Sequence, residues 1–164
     1  MKLFEPPDFE QAIIRAAEHF RSSGMREAVI EKDYYVTEAL RIIQQTAGDV
    51  VIFKGGTSLS KGWNIIQRFS EDVDVFFDPT AFEPPIGKNA INRERKKLRQ
   101  ATQSHSGLKF IEIESRTIGG FGRSDYFEYA QRFASTGIFV IAFLLKLAPR
   151  VVKNQRNVYS YNLM

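Results

Sequence analysis

Asp72 and Asp74 stand two apart inside an alternating run. Its pattern puts Phe69, Glu71, Val73, Val75 and Phe77 on one side of a strand and Ser70, Asp72, Asp74 and Phe76 on the other. Two carboxylates on one strand face can share a hard cation, because Mg²⁺ takes oxygen ligands and bridges carboxylates to substrate phosphates. The competing reading is a solvent-facing strand of alternating charge. It fits less well, since aspartate is a poor strand former and these two lie between Val and Phe, where unpaired burial would be costly. Upstream, the apolar run Val50 to Phe53 ends in Gly55-Gly56-Thr57-Ser58. Glycine removes the Cβ that would keep a phosphate off the backbone, and the N–H groups at a helix start point outward. Alone, that stretch reads first as a tight turn capped by Thr57 or Ser58. Followed by the aspartate pair, it predicts a triphosphate loop delivering nucleotide to a metal site.

The stretch Lys54-Gly55-Gly56-Thr57-Ser58-Leu59-Ser60-Lys61, then Arg68-Phe69-Ser70-Glu71-Asp72-Val73-Asp74, resembles the signature of the AbiEii/AbiGii toxin family of nucleotidyltransferases, within the polymerase-beta-like superfamily. Glu31-Lys32-Asp33-Tyr34-Tyr35-Val36 is similar to that family's helix before the first strand. The resemblance covers residues 28 to 78 and is loose elsewhere. It implies an α+β fold with a nucleotidyltransferase-like mixed sheet flanked by helices, and a nucleoside triphosphate as substrate. It further implies Mg²⁺, with Mn²⁺ as an alternative, and transfer of nucleotide to an acceptor, transfer RNA or another RNA. A cognate antitoxin is an implied partner. By position, Gly55, Gly56, Thr57 and Ser58 would hold triphosphate, Asp72 and Asp74 would bind the metals, and Lys61 and Ser70 would be supporting phosphate contacts.

The superfamily pattern adds a third carboxylate from a later strand. Here the matching stretch reads Phe143-Leu144-Leu145-Lys146-Leu147-Ala148-Pro149-Arg150, with Lys146 at the acid's place. An ammonium cannot ligate Mg²⁺. Glu112 and Glu114 could substitute if their strand lies beside the aspartates; otherwise they are the wet side of a half-buried strand. The sequence stops at Met164, where the family pattern continues into a helical half. The alternative expectation is therefore a truncated or inactive remnant that binds nucleotide or a partner without turnover.

To position these groups the chain needs two helices, a strand, a helix, a strand, a basic helix and further strands. Phe9, Ile13, Ala16, Ala17 and Phe20 recur at helical spacing until Ser22-Ser23-Gly24, and a second helix is predicted over Ile30 to Thr46. Val50 to Phe53 reads as a central strand buried on both faces, followed by a helix over Leu59 to Ile66. Further strands are predicted over Leu108 to Ser115, Tyr126 to Phe133 and Ile138 to Leu147, and Trp63 and the Phe residues are assigned to the core. One domain over residues 1–164 is expected, with helices at 8–46, a sheet at 50–147 and a tail at 148–164.

Composition narrows the function further. With no cysteine there is neither a disulfide framework nor thiolate metal ligation, and His19 and His105 are too few for zinc without carboxylate help. No signal peptide or membrane span is legible, so the cytoplasm is the expected location. The net charge of +4 divides unevenly: −4 over residues 1–78 and +8 over residues 79–164. A polyanionic partner would meet the second half first. Lys88, Arg93, Arg95, Lys96, Lys97 and Arg99 on one helix could follow an RNA backbone or form a solvated face.

Overall fold

Phe9, Ile13 and Ala17 form the buried stripe of α1 (Phe9–His19), and a short 3₁₀ turn at Arg21–Ser23 closes on Gly24 with φ +69°. The computed structural model describes residues 3–5, 7–63, 65–66, 72–78, 81–118, 122–134 and 140–147. The following helix, α2 (Glu27–Ala47), begins three residues before the expected start and buries Ala28, Glu31, Tyr35, Val36, Ala39 and Ile43.

Five strands make one mixed sheet: β1 (Val51–Lys54), β2 (Asp72–Phe77), β3 (Lys109–Ile118), β4 (Gly122–Glu128) and β5 (Val140–Leu147). Their order is β1-β2-β5-β4-β3. β2 and β5 run parallel and every other pair is antiparallel. The basic helix is α4 (Lys88–Gln103), whose Ile91 and Leu98 join the hydrophobic core with Tyr35, Ile43, Val73, Val75, Phe77 and Phe127. The core thus lies on one face of the sheet, beneath α1, α2 and α4. The architecture is the expected α+β arrangement of helices against a mixed sheet. No helix among the described residues is long and apolar enough to cross a membrane.

Three expectations change. β1 is an edge strand, not a central one: Val51 is buried while Ile52 and Phe53 are only partly covered, so its apolar run serves one face fully. β4 begins four residues earlier than Tyr126 and ends before Tyr129, because the backbone beyond it is engaged elsewhere. Arg95, expected on an open basic face, is 7% exposed and lies on the core side of α4. The 148–164 tail and Ser70 lie outside the described residues.

What holds the backbone after β4 is Glu31. Its side chain is fully buried, and its carboxylate accepts the N–H of Arg132 at 3.0 Å and of Phe133 at 3.2 Å. Those two donors cannot take part in a sheet ladder, so the chain leaves β4 and crosses to α2. Burial pushes the Glu31 carboxyl above its ordinary value, while the two backbone N–H groups and Arg132 pull it back. Because the folded protein holds that proton more tightly than the unfolded chain, this term favours folding at acid pH. It is lost as pH rises from the ordinary carboxylate range through the raised value.

Replacing Glu31 with Ala leaves two part-buried donors without that acceptor and is expected to cost about 1–3 kcal/mol, read as a shift in the urea unfolding midpoint. Glu31→Gln keeps one acceptor and has no charge to lose, so its stability should vary less between acid and neutral pH than that of the wild type. An unchanged pH slope would count against the buried carboxyl as its source.

Candidate nucleotide and metal site

β1 runs extended to Lys54, at φ −130° and ψ 179°, and Gly55 then turns the chain with φ +69°. That left-handed value is open to glycine and costs other residues about 1–2 kcal/mol. Helix begins at once, as α3 (Gly55–Thr57), and widens into a π turn over Ser58–Gly62 in which Trp63 N–H donates to Ser58 O at 3.0 Å. The helix was expected to start at Leu59 behind a Thr57 or Ser58 cap. No side chain caps it, and Thr57 is buried at 2% exposure. Glycine makes the turn that the capping residue would have made.

The loop and the aspartate strand meet at one contact. Lys54 is the register partner of Asp74 across β1 and β2, and a Cβ added to Gly55 would lie 2.6 Å from Asp74 Oδ2. The Asp74 carboxylate therefore rests against the Gly55 backbone, at the first residue of the helical turn. Val73, Val75 and Phe77 are fully buried on the core face, so Asp74 lies on the opposite, open face, and strand alternation puts position 72 there too. Lys54 reaches over the Phe76 ring at 4.3 Å. The glycine loop and Asp74 thus meet at one place in the fold.

The other expected residues are distributed as follows. Gly56 and Ser58 are partly exposed along the turn. Lys61 forms an ion pair with Asp33 of α2. Burial raises the Asp33 carboxyl and Lys61 draws it back down. Trp63, assigned to the core, is instead 51% exposed, at the residue that follows the π turn. Beside the aspartates, β5 places Ala142 opposite Asp72 and Leu144 opposite Asp74, while Lys146 pairs with Phe76. Glu112 and Glu114 belong to β3, at the far edge of the sheet. Two strands stand between β3 and β2, a separation of about 14 Å at ordinary strand spacing. They are not the third acid. Among the described residues no group of three His, Cys, Asp or Glu gathers at one point.

Asp33 and Lys54 are the residues that sequence reasoning missed. Lys54 stands in the stretch Lys54 to Lys61, and its place opposite Asp74 comes from the pairing of β1 with β2. Asp33 stands in the stretch Glu31 to Val36, but its partner is 28 residues away and spacing could not point to it.

A mixed sheet with an aspartate strand seated against a glycine turn is an arrangement of the nucleotidyltransferase-like class of fold. The model of the family described as nucleotidyl transferase AbiEii toxin, type IV toxin–antitoxin system, matches residues 38–144. The chain belongs to that family. The matched span includes the loop, Lys61 and both aspartates, and it excludes Glu31 and Asp33. No curated protein matches the chain.

Gly55 and Gly24 share φ +69°, but a Cβ at Gly24 meets nothing within 4 Å. Gly24→Ala is therefore expected to cost only the backbone strain of about 1–2 kcal/mol. Gly55→Ala should carry the same strain and in addition displace Asp74, reducing triphosphate affinity at least about tenfold. Melting curves and calorimetric titration of the two variants side by side check this. Equal triphosphate binding by both would remove Gly55 from the site.

Proposed function

We propose that the protein is a metal-dependent nucleotidyltransferase of the AbiEii type, transferring nucleotide from a nucleoside triphosphate to an RNA acceptor, transfer RNA first among the candidates, with release of pyrophosphate. The observation that carries this reading is the Asp74 carboxylate lying against Gly55 at the start of the helical turn. Backbone N–H groups of Gly55 to Ser58 would take the triphosphate, whose charge suits a helix start. Asp72 and Asp74 would hold the cation between them and the phosphates, with Lys61 and Ser70 in supporting contacts.

The donor set suits Mg²⁺. It consists of carboxylate oxygen beside a phosphate loop, and Mg²⁺ is commonly held by one or two carboxylates plus substrate phosphates rather than by an all-protein cage. When bound, the ion neutralises triphosphate charge and favours in-line attack by an acceptor hydroxyl on the α-phosphate. The chain's own share is to fix the triphosphate by backbone contacts and to keep two negative charges on the open side of the sheet. The same reading takes residues 1–164 as one catalytic-core domain, working in the cytoplasm and paired with an antitoxin.

A second reading rests on β5. The residues opposite the aspartates are Ala142 and Leu144, and the next on that face is Lys146, so β5 supplies no carboxylate there. A protein so built could bind nucleotide or a partner without turning it over.

Incubation with labelled nucleoside triphosphates, Mg²⁺ and total transfer RNA separates the two. The nucleotidyltransferase reading expects label in RNA, reduced by more than about 10²-fold in Asp72→Ala or Asp74→Ala. Mg²⁺-dependent triphosphate binding without incorporation supports the second reading. Absence of both overturns the nucleotidyltransferase reading and the nucleotide-binding form of the second.

A further inference from the structure

The helical turn that follows the glycine loop has little to hold it in place by packing. Thr57 is buried, but no residue of Ser58–Gly62 is, and Leu59, Trp63 and Ile65 are 41%, 51% and 66% exposed. The turn is also a π turn, a widened form found mostly as single turns and often at functional sites. A long-range tie between it and the body of the protein is the ion pair from Lys61 to Asp33, across 28 residues of sequence, with side chains 34% and 21% exposed. Asp33 lies in the second turn of α2, the helix whose opposite side is fixed in the core by Tyr35, Ala39 and Ile43.

We propose that Asp33 is a positioning residue for the nucleotide loop: by pairing with Lys61 it braces the Ser58–Gly62 turn against α2 and so sets where Gly55 to Ser58 stand relative to Asp74. The inference rests on the triphosphate reading given above. It assigns Lys61 first to the brace, and it gives the segment from Glu31 to Val36 a part in the site although most of that helix's first half lies outside the family match. An ion pair of this exposure contributes little to global stability. Its effect is local, because displacement of a binding group by about 1 Å can cost about 10²-fold in function.

The test uses the full chain and measures triphosphate dissociation constants with Mg²⁺, alongside melting temperatures, for Asp33→Asn, Lys61→Gln, the double variant and the charge-exchanged pair Asp33→Lys with Lys61→Asp. Asp33→Asn is expected to weaken binding about tenfold while its melting temperature stays within a few degrees of the wild type. The double variant should be no worse than either single one, and exchanging the charges should recover most of the loss. Additive losses, or a charge-exchanged pair as weak as the singles, would mean that Lys61 acts on phosphate independently of Asp33, and would overturn the proposal. So would unchanged binding in Asp33→Asn beside a wild type that binds normally. A wild type that binds no triphosphate overturns the functional reading and takes this inference with it.

Discussion

A strand has two faces, and one face of β2 is given wholly to the core. Val73, Val75 and Phe77 are each fully buried. Burying side chains of this kind contributes roughly 1.5–3 kcal/mol apiece, and a slip of one residue in register would exchange them for Asp72, Asp74 and Phe76. The exchange would put two carboxylates where Val73 and Val75 now pack and add the desolvation of both charges. The register of β2 is therefore strongly specified, and with it the side of the sheet on which the aspartates stand. The chemistry of the site follows from a packing constraint on the residues between its members.

The second constraint is α2. Glu31 and Asp33 are two residues apart, so on a helix they lie on nearly opposite sides. Glu31 faces inward and takes the backbone of Arg132 and Phe133, in the connection between β4 and β5. Asp33 faces the connection between β1 and β2 and takes Lys61. Since β2 and β5 are neighbours in the sheet, one turn of one helix grips the connections that lead into both strands of the site. Tyr35 stacks on Tyr129 at 4.3 Å and fixes the same turn of helix between them.

Periodic features were legible in the sequence and long-range ones were not. The stripe of α1 and the alternation of β2 follow from spacing alone. The edge position of β1 could not be read from its apolar run, because a strand's neighbours are set by topology. The helix after Gly55 starts four residues before the expected point, since a glycine with positive φ can switch strand to helix without any capping side chain. β4 was placed too late because Tyr129 to Phe133 looks apolar enough for a strand, while the acceptor that draws it away is Glu31, 101 residues distant. One local signal was available: Glu31 falls in the buried stripe with Ala28, Tyr35 and Ala39, and a carboxylate there must find donors.

The same geometry bears on how the basic half of the chain can act. The exposed cations of α4, Arg93, Lys96 and Lys97, lie outside the helical layer, and that layer covers the core face of the sheet. Lys97 is already paired with Glu94 at 2.7 Å, and Arg99 sits over the Phe110 ring at 4.9 Å. Asp74 is on the other face. The core and the sheet thus stand between these cations and the face on which the aspartates lie. The local balance of charge at the site is set instead by Asp74, by Lys54 opposite it in register, and by Lys61 through its pairing with Asp33. Contact between α4 and a nucleic acid would then involve a part of the acceptor that reaches around the sheet, and would govern association more than the geometry of transfer.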